Sequence, residues 1–317
     1  MTLGEFDIIE HFFKKQPIMR DDVILGPGDD CALVEIPPNQ QLAITMDTLV
    51  AGVHFPHTTC AYDIGYKSLA VNLSDLAAMG ATPAWVTCAL TLPHADETWL
   101  TDFSRGFFTL AATHNVQLIG GDLTRGPLSI TVTAHGFVSK HHAVKRSGAK
   151  PGDLIYVTNT LGDAALGLLI LNKKISSSPD NEKNVLTHLN RPEPQIDIGK
   201  KLLPLAHAMI DISDGLAADL GHLLKASNVG AIIYVDKIPL SPALQQIPAE
   251  QAISLALNGG DDYELCFTLP KEKQNQLKNL SQLTCIGEIT AAQTFNLYYQ
   301  DGKKYYTPTH GYQHFSG

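Results

Sequence analysis

Aspartates recur in this chain where apolar segments end, and this pattern constrains its fold and chemistry more than any other feature. The nine are Asp29, Asp30, Asp47, Asp75, Asp122, Asp211, Asp214, Asp261 and Asp262. Carboxylates held close together repel and raise one another's pKa unless a partner offsets their charge. Few Lys or Arg residues flank these segments. Because Mg²⁺ prefers carboxylate and water oxygens and shares its shell with substrate phosphates, the pattern indicates metal-assisted phosphate chemistry.

The composition limits the class of protein. With 317 residues, 44% hydrophobic and 17% charged, the chain resembles a soluble globular protein of two ordinary domains. A net charge of −9 argues against a general nucleic-acid binder, which needs a basic face. We find no apolar run of membrane-spanning length and no signal-peptide pattern. The five cysteines are widely spaced and form no CxxC pair, which favours a reducing, cytoplasmic compartment.

Hydrophobic periodicity in the first half predicts a mixed α/β domain. We expect a short amphipathic helix over residues 3–15 and a turn at GPGDD. The order β-α-β-α-β-β then follows, with elements at 41–46 (a strand ending at Asp47), 62–79, 84–92, 97–114, 116–119 and 130–138. Two Gly-Gly-Asp sequences, at 120–122 and 259–261, predict turns whose glycines let the backbone approach an anion. An ordinary turn is the simpler interpretation of either one alone.

A polar, basic stretch at 139–153 marks the best candidate junction between two domains, 1–139 and 150–317. The second half again alternates strands with helices. We expect strands at 154–159, 208–212, 231–235, 263–268, 283–289 and 296–299 and helices at 161–171 and 215–227. The sequence SSSPDNEKN is interpreted as a surface loop.

The DISDG sequence lies between an apolar strand and an amphipathic helix. Asp211 and Asp214 are candidate metal ligands, and Ser213 is placed to contact a phosphate at the helix N-terminus. Helix capping by Ser213 or Asp214 is the alternative, although it explains Asp211 less well. Asp75 lies in a predicted helix beside Asn72, where a solvated face is the alternative.

Three further features are weaker evidence for a functional role. Arg146 is a candidate for neutralising ATP phosphates, with a surface linker charge as an equal alternative. His54 is a candidate contact to a substrate phosphate or ring, although a lone His is more often structural. The tail THGYQHF either closes over a heteroaromatic substrate or packs on the core. The chain has no P-loop sequence and no protein-kinase HRD and DFG set.

Taken in order, seven motifs closely resemble the thiamine-monophosphate kinase family, which belongs with aminoimidazole-ribonucleotide synthetase and selenophosphate synthetase. They are GPGDDCA, MDTLVAGVHF, NLSDLAAMGATP, GGDLT, RSGAKPGD, DISDG and GGDDYEL. The resemblance runs along essentially the whole chain. It implies a two-domain PurM-like α/β fold with an N-terminal mixed sheet that pairs across a homodimer barrel and binds ATP and Mg²⁺. It further implies a C-terminal α/β domain closing over the site, and phosphorylation of thiamine monophosphate to thiamine diphosphate, the last step of that cofactor's biosynthesis.

The resemblance also implies roles for individual residues. The metal ligands would be Asp30, Thr45, Met46 (through its carbonyl), Asp47, Asp75, Asp122, Asp211 and Asp214. The ATP contacts would be Gly121, Asp122, Arg146 and Ser213, with Asp122 and Arg146 catalytic. The substrate contacts would be His54, Asp261, Asp262 and a tail aromatic, Tyr312 or Phe315. Where the family commonly has Gly-Gly-Glu-Asp-Tyr-Glu, this chain has Asp261, one methylene shorter, so a water can bridge that contact.

The expected mechanism is direct in-line transfer, since the acceptor phosphate is already anionic and needs no strong base. Several Mg²⁺ ions would neutralise the two polyanions. Two other classes stay open. One is an ATP-dependent synthetase of the same superfamily, which product analysis would distinguish. The other is a non-catalytic Ca²⁺-binding protein, although no EF-hand sequence is present.

Overall fold

The computed structural model describes residues 4–14, 16 and 19–306. Their contacts divide the chain into two compact units. One holds the residues up to Leu76 with Ala81–His142, and the other holds Ala77–Gly80 with the residues from Ala143 onward. Within the described residues, no helix has the length and apolar character that crossing a membrane requires.

The chain as far as Ser139 is mixed α/β, as the sequence predicts, and the strand and helix order β-α-β-α-β-β is confirmed from the third strand onward. A short hairpin, whose connection contains GPGDD, precedes it. The elements are α1 (Glu5–Ile8), a π-helical turn (Ile9–Phe13), β1 (Val23–Leu25), β2 (Leu33–Val34), β3 (Gln40–Val50), α2 (Ala61–Ala78), β4 (Thr82–Leu92), α3 (Glu97–Thr113), β5 (Gln117–Arg125) and β6 (Ser129–Ser139).

The main sheet of the first unit has the strand order β3-β6-β4-β5, with only the β4–β5 pair parallel. Alternate residues of β6, Ile130, Val132 and Ala134, are fully buried, as expected for a sheet with one face on a core. Helix α2 also buries an apolar face, since Leu69 and Leu73 are inaccessible to solvent. Strands β3 and β5 form the two edges of this sheet.

Two predicted strand ends lie inside strands. Asp47 does not end its strand, because β3 pairs residue by residue with β6 as far as Val50. The prediction of a turn at 120–122 was also wrong. Parallel pairing with β4 continues from Gly120 to Arg125, so the Gly-Gly-Asp sequence is extended. Glycine in a strand often marks a close backbone approach rather than a turn, and that is its role here.

The second unit is built on a six-stranded sheet of order β12-β9-β11-β7-β10-β8, in which only the β12–β9 pair is parallel. All six strands predicted from the sequence are present. The elements are β7 (Leu154–Thr158), α4 (Asp163–Leu171), α5 (Pro179–Asn190), α6 (Ile196–Leu202), β8 (Ala208–Ile212), α7 (Leu216–Ser227), β9 (Gly230–Tyr234), α8 (Ala249–Asn258), β10 (Glu264–Leu269), β11 (Leu283–Thr290) and β12 (Phe295–Tyr298), with 3₁₀ turns at Val235–Lys237, Leu244–Gln246 and Lys271–Asn279.

The predicted surface loop SSSPDNEKN is instead the start of helix α5. Ser178 caps it by accepting a hydrogen bond from the Asn181 N–H at 3.4 Å, and Pro179 occupies the first helical position. Both are standard signals of a helix start, and acidic residues in the first turn add a favourable interaction with the helix dipole. The polar composition of the segment obscured them. Helices α6 and α8 were likewise not predicted.

Candidate functional site

A cavity of ≈ 570 Å³ in the first unit contains three of the predicted site residues, Asp30, Gly121 and Asp122. Asp30 belongs to the connection between β1 and β2, and the other two lie on β5. The remaining lining is largely apolar and includes Cys88, Leu90, Leu118 and Ile119 from the sheet. Carboxylates and a strand backbone thus border an apolar space. With Mg²⁺ held by the carboxylates, the arrangement would suit a ligand with an anionic end and an apolar end.

The N-terminal helical segment supplies one wall of this cavity through Phe6, Ile9 and Phe13. Lys14 also lines it and forms a 2.9 Å ion pair with Glu10. Sequence reasoning predicted the amphipathic helix but assigned it no part in the site. The available signal was the apolar face of that helix, which requires a partner.

The two glycines of β5 differ sharply in their surroundings. A Cβ atom at Gly121 would stand 1.9 Å from the Cys88 carbonyl oxygen on β4, whereas a Cβ at Gly120 would meet nothing within 4 Å. Gly121 is therefore required for the approach of β5 to β4. That approach places Asp122, which is exposed, opposite Ala89 and at the cavity.

Strand β3 carries Thr45, Met46 and Asp47, and helix α2 carries Asp75. The Thr45 hydroxyl donates a hydrogen bond to Asp75 Oδ2, so the structure brings two predicted metal ligands together although they are 30 positions apart in sequence. Asp47 is half-buried. The Met46 side chain is 64% exposed and takes no part in this contact.

His54 follows β3 and is held by the end of that strand. The Val50 N–H donates a hydrogen bond to His54 Nδ1 at 3.0 Å. Because this nitrogen acts as an acceptor, the neutral ring carries its proton on Nε2. His54 Nε2 is therefore set up as a hydrogen-bond donor, the form suited to an anionic oxygen.

In the second unit the DISDG sequence runs from the end of β8 to the start of α7. Asp211 is buried, and Ser213 and Asp214 are half-buried. A residue that sequence reasoning missed holds this loop. Asp219 Oδ2 accepts hydrogen bonds from the N–H groups of Ser213 at 3.0 Å and Asp214 at 2.9 Å.

Burial raises the pKa of the Asp219 carboxyl to about 7, although the Asp214 N–H bond lowers it. The nearby Asp214 charge raises that pKa further, whereas Arg146 lowers it. Arg146 itself is exposed, and its carbonyl accepts a hydrogen bond from Ser227 Oγ at 3.0 Å. The predicted ATP contact Arg146 is thus an electrostatic neighbour of the carboxyl that holds the DISDG loop.

The second Gly-Gly-Asp sequence is a loop, as predicted. Asp261 adopts a left-handed backbone conformation (φ 69°), and its N–H donates to the Ser213 carbonyl at 2.8 Å. Asp262 is buried and accepts the Gly162 N–H at 2.8 Å just before α4. Burial raises the pKa of Asp262 well above its usual range. The predicted tail aromatics Tyr312 and Phe315 lie outside the described residues.

Glu264 completes the GGDDYEL motif at the start of β10. It is 5% exposed and accepts hydrogen bonds from the Thr158 hydroxyl and, at 3.0 and 2.9 Å, from Asn159 Nδ2. Burial raises the pKa of Glu264 from 4.5 to about 7, although these hydrogen bonds lower it. The Glu264 carboxylate of this motif therefore links the start of β10 to the end of β7 through buried hydrogen bonds.

We expect Glu264→Gln to reduce the pH dependence of stability. Since the folded pKa is raised, this carboxyl favours folding most below pH 4.5, and the contribution is lost as the pH rises through about 7. The free energy of unfolding of the variant, relative to the wild type, should therefore increase between pH 5 and pH 8 in urea titrations. Glu288→Gln, which removes the half-buried partner of the exposed Lys271, is the control. A constant difference between wild type and Glu264→Gln would contradict the prediction.

The oxygen donors suit Mg²⁺. Among residues 4–14, 16 and 19–306, no three His, Cys, Asp or Glu side chains converge to hold a metal ion by themselves. Mg²⁺, however, normally uses one or two carboxylates and completes its shell with water and substrate phosphates. Two pairs of residues in the first unit fit that requirement. Thr45 and Asp75 are in hydrogen-bond contact, and Asp30 and Asp122 line the same cavity.

The chain matches the family described as AIR synthase related protein, with the N-terminal domain at residues 28–138 and the C-terminal domain at 150–300. It is 50% identical to thiamine-monophosphate kinase of Escherichia coli (strain K12), over 100% of this chain and 99% of the relative.

Solved structures agree. The crystal structure of thiamine-monophosphate kinase from Stenotrophomonas maltophilia K279a is 46% identical, with a TM-score of 0.88 over 96% of this chain and 99% of that one. A structure described as AaThiL complexed with AMPPCP and TMP is 32% identical, with a TM-score of 0.79 over 99% and 97% of the two chains.

Proposed function

Since the chain belongs to the thiamine-monophosphate kinase family, we infer that it phosphorylates thiamine monophosphate to thiamine diphosphate at the expense of ATP. The observation that carries this inference is 50% identity over the full length of a kinase of that name. The complex of AaThiL with AMPPCP and TMP supports it, because AMPPCP is an analogue of ATP. The reaction is the last step in making thiamine diphosphate.

We propose that the first domain, 1–139, binds ATP and Mg²⁺ at the carboxylate-bordered cavity. Gly121 offers its backbone to the phosphates, and Asp122 and Asp30 border the same space. Thr45, Asp75, Asp47 and the Met46 carbonyl form a second group of oxygen donors. Bound Mg²⁺ would supply positive charge to the two polyanionic substrates.

The second domain, 150–317, and the basic segment before it contribute the remaining groups in this proposal. Asp211 and Asp214 are further metal ligands, Ser213 is an ATP contact, and Arg146 stabilises negative charge on the transferring phosphates. Asp261 is our choice for the substrate contact. Asp262 is buried against the start of α4, so we assign it a supporting role instead.

The transfer step needs little covalent chemistry from the protein. The acceptor is a phosphate oxygen that is already anionic, so the residues must orient two anions in line rather than remove a proton. His54 donates from Nε2 to a substrate oxygen in this proposal, because its Nδ1 is occupied by the Val50 N–H. We therefore propose direct transfer from ATP to the acceptor without a phosphorylated enzyme.

A product assay on the full chain tests this function. ATP, thiamine monophosphate and Mg²⁺ should yield ADP and thiamine diphosphate in equal amounts, and protein precipitated during turnover of γ-³²P-ATP should carry no label. ADP without thiamine diphosphate would indicate the synthetase class, and no ADP from folded protein would indicate a binding role. Labelled protein would contradict direct transfer alone.

We also propose a homodimer in which two copies of the first-unit sheet pair. Ile44 and Met46 on the edge strand β3 are 61% and 64% exposed. Apolar side chains grouped on an edge strand mark a surface that another chain covers.

We also place the enzyme in the cytoplasm, since all five cysteines are free thiols and reducing compartments keep thiols in that state.

Ile44→Lys should convert the dimer to a monomer, because a charge in an apolar interface must be desolvated. Light scattering should give a mass near 34.3 kDa for the variant and twice that value for the wild type. Leu168→Lys, at a 40% exposed apolar residue of α4, is the control and should remain dimeric. A dimeric Ile44→Lys protein would place the interface elsewhere.

A further inference from the structure

We propose that Asp219 is a positioning residue for phosphoryl transfer, because its carboxylate holds the loop of Asp211–Asp214 and, through the backbone of that loop, also holds Asp261. The inference rests on the proposed function and deepens it, since it names the group that sets the geometry of both the nucleotide and the substrate contacts of the second unit.

The contact of Asp219 with the loop is specific. A single oxygen, Oδ2, accepts the N–H groups of two consecutive residues, Ser213 and Asp214, at 3.0 and 2.9 Å. Asp219 is only 4% exposed, so water does not readily replace these hydrogen bonds. Two bonds to adjacent peptide groups fix the orientation of both peptide planes. They therefore set the directions in which the Ser213 and Asp214 side chains leave the backbone.

Backbone hydrogen bonds connect the same loop to the loop that contains Asp261. The Ser213 carbonyl accepts the Asp261 N–H at 2.8 Å, and the Ile212 carbonyl accepts the Tyr263 N–H at 2.8 Å. Packing is equally close, since a Cβ atom at Gly260 would stand 2.5 Å from the Ser213 carbonyl oxygen. The two loops thus contact each other through backbone atoms, and a shift of the first displaces the second.

Helix α7 connects Asp219 to the Arg146 segment as well. Asp219 lies in its first turn, and Ser227 is its last residue. Ser227 Oγ donates to the Arg146 carbonyl at 3.0 Å and accepts the Gly148 N–H at 3.1 Å. One helix therefore fixes the DISDG loop at its N-terminus and the Arg146 segment at its C-terminus.

Kinetics of two Asp219 variants of the full chain test the proposal. Asp219→Asn retains an oxygen that can take the place of Oδ2, whereas the shorter Asp219→Ser cannot reach both N–H groups. We expect Asp219→Ser to raise KM for ATP and for thiamine monophosphate at least about tenfold and to lower kcat, and Asp219→Asn to stay within about threefold of the wild type. The increase in melting temperature on adding Mg²⁺ and ADP should be lost in Asp219→Ser and kept in Asp219→Asn.

Asp153→Asn is the matched control. Asp153 is 3% exposed and accepts the Lys150 N–H at 2.9 Å and His207 Nδ1 at 2.9 Å, and neither hydrogen bond involves the Asp211–Asp214 loop or Asp261. Its loss should lower stability without changing either KM. Asp219→Ser with wild-type kinetics would overturn the proposal. Equal losses in the Asn and Ser variants would also overturn it, by assigning the effect to the charge.

If Asp219→Ser does not fold, Asp219→Glu takes its place, since it keeps the charge and displaces the carboxylate by one methylene. It should show the same losses, and wild-type kinetics would again overturn the proposal. Failure of the wild type to phosphorylate thiamine monophosphate would contradict the proposed function instead. The melting-temperature increase with Mg²⁺ and ADP would then still test the positioning of the loop.

Discussion

Asp122→Asn is expected to lower kcat at least about a hundredfold while leaving the fold intact. The substitution keeps the shape of the side chain and removes the negative charge that would hold Mg²⁺ beside the phosphates. Loss of one preorganised electrostatic contact to a reacting group typically costs about 10²–10³ in rate. Asp122 is exposed at the edge strand β5, so its replacement disturbs no packing. The measurement is kcat at saturating ATP, thiamine monophosphate and Mg²⁺, with the melting temperature recorded alongside.

Asp102→Asn provides the comparison for that experiment. Asp102 is a half-buried aspartate of α3 in the same unit, paired with Arg105 at 2.9 Å, and it does not border the cavity. The same loss of charge there should leave kcat unchanged. A near-normal kcat for Asp122→Asn would show that Asp122 is not a metal ligand and would move attention to Asp30, which lines the same cavity.

The second large effect concerns stability. Gly121→Ala should lower the free energy of unfolding by about 2–3 kcal/mol, the upper part of the range of about 1–3 kcal/mol that overpacking typically costs. Its Cβ would stand 1.9 Å from the Cys88 carbonyl oxygen and 2.8 Å from the carbonyl carbon, and neither backbone atom can move unless β4 separates from β5. Urea denaturation followed by circular dichroism measures the change.

Gly120→Ala is the adjacent, chemically identical control. Nothing stands within 4 Å of a Cβ atom at that position, and the methyl group restricts the unfolded chain. We expect a change within about 1 kcal/mol, in the stabilising direction. If both variants unfold at the same urea concentration, the separation of β4 from β5 differs from that described above.

Much of the fold was predictable because local periodicity sets it. Helix α2 and strand β6 each bury one apolar face, and both elements were predicted from the sequence and are confirmed. Helix α5 shows the limit of this reasoning. Its Ser178-Pro179 start was present in the sequence, but a polar segment with little apolar periodicity was interpreted as a loop.

For the candidate site, too, the sequence supplied some information and the structure supplied the rest. The sequence by itself determined which side chains are candidates for the chemistry, since carboxylates that follow apolar segments, with few cations near them, require metal ions or hydrogen-bond donors whatever the fold. It also determined the family, because ordered motifs along the whole chain specify more than any single turn.

Only the tertiary structure decided how those residues are held. Thr45 contacts Asp75, although the two are far apart in sequence. Of the two adjacent glycines, Gly121 and not Gly120 meets the β4 backbone. Asp219 accepts hydrogen bonds from two N–H groups of the DISDG loop, and no local pattern indicates that contact. Local sequence patterns report which residues face a core. Such patterns do not show which buried oxygen accepts a hydrogen bond from which N–H group, because that pairing forms only when the packed elements bring the two groups within about 3 Å.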